Sequence, residues 1–413
     1  MKKVLTFTFI LFFSFIINAY SQWLAQTSGT NQHLRVVKFV DNNIGWAMGD
    51  NGTIVKTINA GVNWFSQISN SSTGISQCCM LDASTGYFVG GNSHKWLYRT
   101  FNGGNTWTNF YYNAGGEIEV LNIYGIGGII GYLDAGRAYI RMTSDGGLTW
   151  FVTAWWQDYN LGPSYFLPNG IYGWIVEQGS SGDIKHTNDG GNNWISQNCG
   201  NNSNKLGVFF LDWLTGWIVG DGGTILHTVD EGSNWTQQVS NFNQWLGCVF
   251  FTDPNTGWVG GYGGSLLKTT NGGSNWGFQN STTSFALNSI FFINANTGWI
   301  VGDGGTILKT TTGGGTFINT YNNNIPSQFM LYNNFPNPFN PTTAIRFDIP
   351  KSESVKLIVF DILGKEIAVL VNEKISAGNY EVDWDGSDYP SGVYFYKLIT
   401  DEFVDVKKMV LVK

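Results

Sequence analysis

The carboxylates of this chain fall into three sets, and each set points to different chemistry. Asp145, Asp189 and Asp230 recur within a pattern of the form Thr-x-Asp-x-Gly-x-x-Trp. Glu117, Glu119, Asp158 and Glu177 stand outside that pattern. Two carboxyl groups facing each other at roughly 5–9.5 Å would be the machinery of glycoside hydrolysis. The second set holds the acids for such a pair, although sequence alone does not pair them. The recurring acids are weaker candidates, because the same slot holds Asn59, Asn102, Asn271 and Thr312, and a general acid or base is not interchangeable with an amide. An Asp or Asn oxygen beside a glycine accepts turn N–H groups instead. The third set, Asp50, Asp221 and Asp303, lies in glycine-rich turns, where it would either serve the turn or gather into a cation or sugar site.

Basic and aromatic residues complete the candidates. His186 and His227 share a recurring slot with Lys56, Arg99, Lys268 and Lys309. A metal site would not accept lysine there, so no metal is expected; stems and rings covering an aromatic face fit better. A basic band gripping an acidic partner is the other reading of that slot. Trp155-Trp-Gln-Asp-Tyr159, Tyr165-Phe166 and Asp134-Ala-Gly-Arg137 interrupt the recurring pattern. Departures from a repeat are not demanded by its scaffold, so function tends to sit there. Trp155, Trp156, Asp158 and Tyr159 are therefore the candidate ligand-binding residues, their rings stacking on sugar or peptide; the alternative is that the tryptophans fill an interface. No Ser/His/Asp elbow and no nucleotide-binding loop occurs, and no catalytic residue or cofactor is assigned.

The elements that must position these residues are set by repetition. Thr215-Gly-Trp-Ile-Val-Gly-Asp-Gly-Gly-Thr-Ile-Leu-His-Thr228 recurs almost unchanged at 297–310, with looser copies at 44–57 and 256–269. The pattern that follows each copy gives Asn59/Trp64, Asn102/Trp107, Asp145/Trp150, Asp189/Trp194, Asp230/Trp235, Asn271/Trp276 and a degenerate Thr312/Phe317. These aromatics lie 41–44 residues apart, the period of a four-stranded propeller blade. The expected fold is all-β, a seven-bladed β-propeller over 22–322. Trp23-Leu-Ala-Gln26 matches Trp194-Ile-Ser-Gln197, so residues 22–28 are expected to supply the last strand of blade seven. Each recurring tryptophan should fold under its turn and pack against the next blade.

Composition agrees. The chain has 54 Gly, 18 Trp, 18 Tyr and 29 Phe but only 12% charged residues, which suits short strands joined by tight turns. A net charge of −7 without a basic run outside the termini argues against nucleic acid as a partner. Residues 1–21 read as a signal peptide, Lys2-Lys3 followed by an apolar stretch and Ala19-Tyr-Ser21. No other apolar run is long enough for a transmembrane segment. Cys78, Cys79, Cys199 and Cys248 lack metal-site spacing; buried thiols or a disulfide are both open.

The repeats resemble Asp-box (BNR-type) propellers, most of all the photosystem II assembly factor-like group, through Gly216-Trp-Ile-Val-Gly, Gly223-Thr-Ile and the Asp-box ending in Trp235. The resemblance spans about residues 22–320 and specifies the fold more than the function, since sialidases, sortilin-like receptors and xyloglucanases share the motif. Sialidase chemistry is not expected: the propeller has only Arg35, Arg99, Arg137 and Arg141 and no Arg-Ile-Pro start.

After a linker at 323–330, residues 331–413 change composition and show alternating strands such as Val355-Lys-Leu-Ile-Val-Phe360, as in a small Ig-like β-sandwich. Leu331-Tyr-Asn-Asn-Phe-Pro-Asn-Pro-Phe-Asn-Pro341, Phe360-Asp-Ile-Leu-Gly364, Ser391-Gly-Val-Tyr-Phe-Tyr396 and Lys407-Lys-Met-Val-Leu-Val-Lys413 resemble type IX secretion C-terminal sorting domains. That resemblance implies the type IX machinery as a partner, export through the periplasm, and release or attachment at the outer-membrane surface. The expected function is a secreted or surface propeller binding a glycan or a protein. A xyloglucanase-like hydrolase and an assembly-factor-like chaperone are the alternatives.

Overall fold

The computed structural model describes residues 23–413 apart from 92–93, 113–115, 126, 179–181, 315–318, 323–324, 376 and 387–388. The expected signal peptide, 1–21, lies outside the described residues. Seven four-stranded antiparallel sheets follow one another, and two more form the C-terminal module. Blades one to six run 34–67, 78–112, 118–157, 161–198, 205–238 and 246–278, each in sequence order from inner to outer strand. Blade seven takes Leu287–Phe292, Gly298–Gly302 and Ile307–Thr310 from one end of the chain and Leu24–Ala25 from the other. Leu24 pairs with Lys309 and Ala25 with Leu308, so the circle is closed by the N-terminal segment as the Trp23 motif implies.

In every blade but the third, the second strand is buried along its whole length, as in Gly216–Gly220. A Cβ on Gly216 would lie 2.5 Å from the Phe210 ring, and one on Gly220 only 2.1 Å from the Asn204 carbonyl oxygen. Glycine is therefore required at both ends of Gly-Trp-Ile-Val-Gly. The tryptophan between them stacks flat on a phenylalanine of the next blade's first strand. Trp174 meets Phe210 at 3.5 Å, Trp217 meets Phe251 at 3.5 Å, Trp258 meets Phe292 at 3.8 Å and Trp299 meets Phe39 at 3.7 Å.

The Asp-box tryptophan of that next blade then meets the same phenylalanine edge-on, as with Phe251 and Trp276 at 5.8 Å and 89°, and with Phe39 and Trp64 at 6.0 Å and 88°. The Asp-box tryptophan consequently faces the preceding blade at all six positions, which corrects the expectation that it packs against the following one. Trp276 shares a core with Trp217 and Val219 of blade five, and its Nε1 donates to Gln238 Oε1 there at 3.1 Å. Trp64, in blade one, is buried among Trp299, Val301 and Ile307 of blade seven. Trp107, in blade two, is fully buried among Trp46, Met48 and Ile54 of blade one, tilted on Phe88 of its own blade at 4.9 Å and 59°.

The recurring basic slot covers the other side of the second-strand tryptophan. His186 stacks on Trp174 at 4.8 Å and His227 on Trp217 at 4.7 Å, while Lys56 Nζ lies 4.7 Å from the Trp46 ring. Burial pushes the His186 imidazole down to about 4, which keeps it a neutral ring in the stack. All four cysteines are free thiols.

In the C-terminal module, one sheet orders Asn319–Asn322, Gly378–Asp385, Thr342–Ile349 and Met330–Leu331. The other orders Glu366–Ile375, Glu353–Phe360, Gly392–Ile399 and Val404–Leu411. Phe347 and Trp384 from the first sheet and Leu357, Tyr396 and Met409 from the second share one core, which makes the pair a sandwich. The boundary differs from the sequence expectation. Asn319–Asn322, assigned above to the propeller, pairs with Gly378–Asp385, and Met330 of the expected linker pairs with Asp348. Strand pairing across the sandwich, rather than composition, sets that edge.

Fully burying a tryptophan is worth about 4–6 kcal/mol of gross apolar transfer, and Trp23 is fully buried with its Nε1 donating to Gln279 Oε1 at 2.9 Å. Trp23→Ala is expected to lower the urea-unfolding free energy by about 3–5 kcal/mol, whereas Leu24→Ala, whose side chain is exposed, should change it by no more than about 0.5 kcal/mol.

Candidate functional site

The Asp-box acids hold turns. Thr228 Oγ1 donates to Asp230 Oδ1 at 2.8 Å, and the same carboxylate accepts the Asn234 N–H at 2.9 Å and its Nδ2 at 2.8 Å. Asn59, Asn102 and Asn271 accept the equivalent backbone N–H at 2.9–3.0 Å, so amide and carboxylate do one job. Hydrogen bonds, first that from the Thr149 hydroxyl, bring Asp145 down to about 2. The indole N–H groups of Trp150, Trp194 and Trp235 bond the carbonyls of Gly147, Gly191 and Gly232 at 2.9–3.0 Å, completing the motif. Trp64 and Trp107 depart from that pattern. Their buried Nε1 atoms have no hydrogen-bond partner among the described residues, so apolar burial alone anchors these two rings. Both lie too deep to meet a ligand.

The acids of the opposite turns are engaged as well. Arg35 donates to Asp50 Oδ1 at 3.0 Å and Oδ2 at 2.8 Å, and to Asp303 Oδ1 at 3.2 Å; Asn288 Nδ2 adds a bond to Asp303 at 2.9 Å. Asp50 and Asp303 therefore clamp the seam between blades one and seven, and Asp221 in blade five does not join them. Among the described residues no three His, Cys, Asp or Glu side chains are grouped to hold a metal ion.

The acids outside the repeat are divided between blades. Glu119, in blade three, is pushed up by burial and then by Glu117. Glu177, in blade four, is buried and pushed up mainly by that burial. It occupies the slot of Gly49 and Gly220, while Lys205, also fully buried, occupies that of Leu34 and Leu246. The Lys205 ammonium donates to the carbonyls of Asn201 and Ser203.

Blade three departs most from the others. Its strands Ile118–Tyr124, Gly127–Asp134, Arg137–Thr143 and Phe151–Gln157 are 7, 8, 7 and 7 residues long, against 6, 5, 4 and 3 in blade five. Three extra residues in the second strand raise its hairpin by roughly 10 Å, turning through Ala135 and Gly136, both at positive φ. On the face toward blade two, Trp155 is 53% exposed and carries the Arg137 guanidinium at 4.8 Å from its ring. Arg137 Nε also donates to Gln157 Oε1 at 2.9 Å, and Gln157 Nε2 to Asp158 Oδ1 at 3.0 Å. Tyr139 lies across the strand from Trp155 and stacks on Tyr132 at 5.3 Å; Arg141 sits 4.9 Å from the Tyr132 ring.

The four sequence candidates thus separate. Side chains alternate along a strand, so Trp156 points away from Trp155 into the blade-four interface, edge-on to Trp194 at 5.7 Å and beneath Lys185 at 5.5 Å. Tyr159 is 4% exposed, and its hydroxyl donates to the Ile175 carbonyl at 2.9 Å. Tyr159 is a core residue and Trp156 an interface residue, which corrects the expectation that all four face a ligand. Trp155 and the exposed Asp158 stay at the surface. Arg137 was marked in the sequence by the interruption Asp134-Ala-Gly-Arg137, although not assigned to ligand binding. Tyr139 was not singled out; its signal was the long run 127–143, which lacks the usual glycine-rich turn.

Two families match parts of the chain. Residues 333–413 match a secretion system C-terminal sorting domain, and residues 238–331 match photosynthesis system II assembly factor YCF48. No curated protein matches. Among solved structures, YCF48 bound to D1 peptide superposes with a TM-score of 0.61 at 20% identity, covering 71% of this chain and 96% of that one. YCF48 from Cyanidioschyzon merolae gives 0.60 at 17% identity, covering 70% and 98%. PorZ, a surface component of the type IX secretion system of Porphyromonas gingivalis, gives 0.50 at 14% identity, covering 94% of this chain and 60% of that one. At these identities the structural likeness is one of fold. Both resemblances read from the motifs are matched, and the chain carries the sorting domain of secreted and surface proteins.

If the Asp-box acids only hold turns, Asp230→Asn should leave the unfolding free energy almost unchanged, and Asp230→Ala should lower it by about 1 kcal/mol. Hydrogen bonds hold the Asp230 carboxyl below its usual range. Its contribution is therefore full above about pH 4 and lost as pH falls through the lower folded value. Denaturant titrations of both variants at pH 7 and pH 3 check this, and a large loss in Asp230→Asn would contradict it.

Proposed function

We propose that this protein is a cell-surface binding protein whose propeller recognises a polypeptide partner through the raised outer edge of blade three. Delivery follows from the two ends of the chain. Residues 1–21 direct export to the periplasm, and the sorting domain hands the folded chain to the type IX machinery, after which it is released or held at the outer-membrane surface. The propeller itself is the cargo that acts there.

The observation that carries this reading is Trp155, half exposed with Arg137 laid on its ring, on an extension that the blade does not need in order to close. An exposed tryptophan braced by a cation is an unusual surface element, and such residues are the common anchors of protein interfaces. A polypeptide ligand is favoured over a sugar by the solved YCF48 propeller, whose bound ligand is a peptide.

The test is a binding screen of the chain lacking 1–21 against a peptide array and a glycan array, with Trp155→Ala beside the parent. Retention of peptides that falls by roughly tenfold to a hundredfold in Trp155→Ala, as for an interface anchor, is the expected result. Retention of glycans alone, or a variant that binds like the parent, would contradict it.

A further inference from the structure

Sheet edges invite pairing with other chains, and folded proteins keep them short or charged to prevent it. Six blades here obey that rule. Their outer strands, Leu24–Ala25, Phe65–Gln67, Thr108–Tyr112, Ile195–Asn198, Thr236–Gln238 and Gly277–Phe278, are two to five residues long. Blade three does not. Phe151–Gln157 has seven residues, reads Phe-Val-Thr-Ala-Trp-Trp-Gln without a charge, proline or glycine, and exposes Phe151, Val152 and Trp155. It stands last in its sheet, and among the described strands none pairs with its outer side.

Register decides what this edge presents. The Asp158 N–H donates to the Gly136 carbonyl at 2.9 Å. In an antiparallel ladder, bonded pairs alternate with non-bonded ones. Trp156 and Ala154, opposite Ala138 and Ile140, are therefore bonded to the inner strand, and Trp155 and Gln157 turn their backbone N–H and C=O outward. A register shift beyond Ala154 bends the rest of the strand. The outward groups thus coincide with the exposed indole and with Arg137. That arginine makes no ion pair among the described residues, and its one hydrogen bond, from Nε to Gln157, leaves the rest of its fork for a carboxylate.

We infer that the edge of blade three takes up an extended polypeptide segment as a fifth strand, with an apolar side chain over Trp155 and an acidic side chain on Arg137. Main-chain bonds at Trp155 and Gln157 supply the docking, and the side-chain pair sets its register, as in other strand additions. A β-prone partner with a single acidic side chain set on Arg137 fits this edge, because Asp134, across the strand from Arg137, and the exposed Asp158 disfavour a run of acids. The inference rests on the reading that blade three binds a polypeptide, and adds how it does so.

The probe is a fluorescent twelve-residue peptide alternating Val and Thr with one central Glu, compared with the same peptide carrying Lys instead. Gln157→Pro removes an outward N–H without taking a donor from the inner ladder. Its melting temperature should match the parent, while its affinity for the Glu peptide falls by roughly tenfold or more. Val152→Lys, a charge on the exposed edge, reads the same point if the proline lowers the melting temperature. Arg137→Ala should reduce the affinity for the Glu peptide to that for the Lys peptide. If Trp155→Ala weakens binding and neither Gln157→Pro nor Val152→Lys does, blade three binds through side chains and strand addition is overturned. If no variant weakens it, or no peptide binds, the site itself fails. A parent that sediments as a dimer, dissociated by Gln157→Pro, would show that a second copy occupies the edge and would overturn the peptide assignment.

Discussion

The fold depends on one repeated contact, the flat stack of a second-strand tryptophan on the first-strand phenylalanine of the next blade. At 3.5–3.8 Å, with interplanar angles of 4–17°, these rings are in full dispersion contact, and the Asp-box tryptophan of the second blade closes the phenylalanine edge-on. Three large rings per interface bury more apolar surface than four short strands could otherwise supply. Each contact joins one blade to its neighbour and nothing further. The circle is therefore only as strong as its seam, and there Trp23, from the other end of the chain, meets Phe292 edge-on at 5.8 Å.

The stack spans four interfaces, from blade four around to blade one, and lapses elsewhere. In blade three, Ile129 stands in the second-strand tryptophan slot and Ile123 in the phenylalanine slot, and the cores on either side are largely aliphatic. Its aromatic mass lies farther out, in Tyr132, Tyr139 and Trp155. Released from the stack, this blade has longer strands, a raised hairpin and an uncharged outer edge.

Sequence period carried the architecture because it reports a constraint that every blade shares. The slot of Gly216, where a Cβ would lie 2.5 Å from the Phe210 ring, is glycine in every blade and marks the strand, whereas the slot of Gly220 holds Glu177 in blade four. The direction in which the Asp-box tryptophans pack was not legible, since either neighbour offers an apolar face and only the handedness of the closed circle chooses. The candidate site was half legible. The interruption at Trp155–Tyr159 located the unusual blade, but strand alternation sends Trp156 inward and the turn at Asp158 carries Tyr159 into the core. Arg137 was marked by the interruption Asp134-Ala-Gly-Arg137, but its place on the Trp155 ring comes from strand pairing that the sequence does not show. The junction with the sandwich escaped composition because Asn319–Asn322 is too polar to announce itself as a strand.

The central claim is that blade three carries an edge whose outward backbone groups are open to a partner strand. Amide hydrogen exchange across 151–157, with and without the β-prone Glu peptide, reads that edge directly. The account predicts that the Trp155 and Gln157 amides exchange quickly in the free chain and become protected on binding, while those of Ala154 and Trp156 are protected in both states. Protection confined to the side of the propeller away from blade three, or no change at Trp155 and Gln157 on saturation, would contradict it.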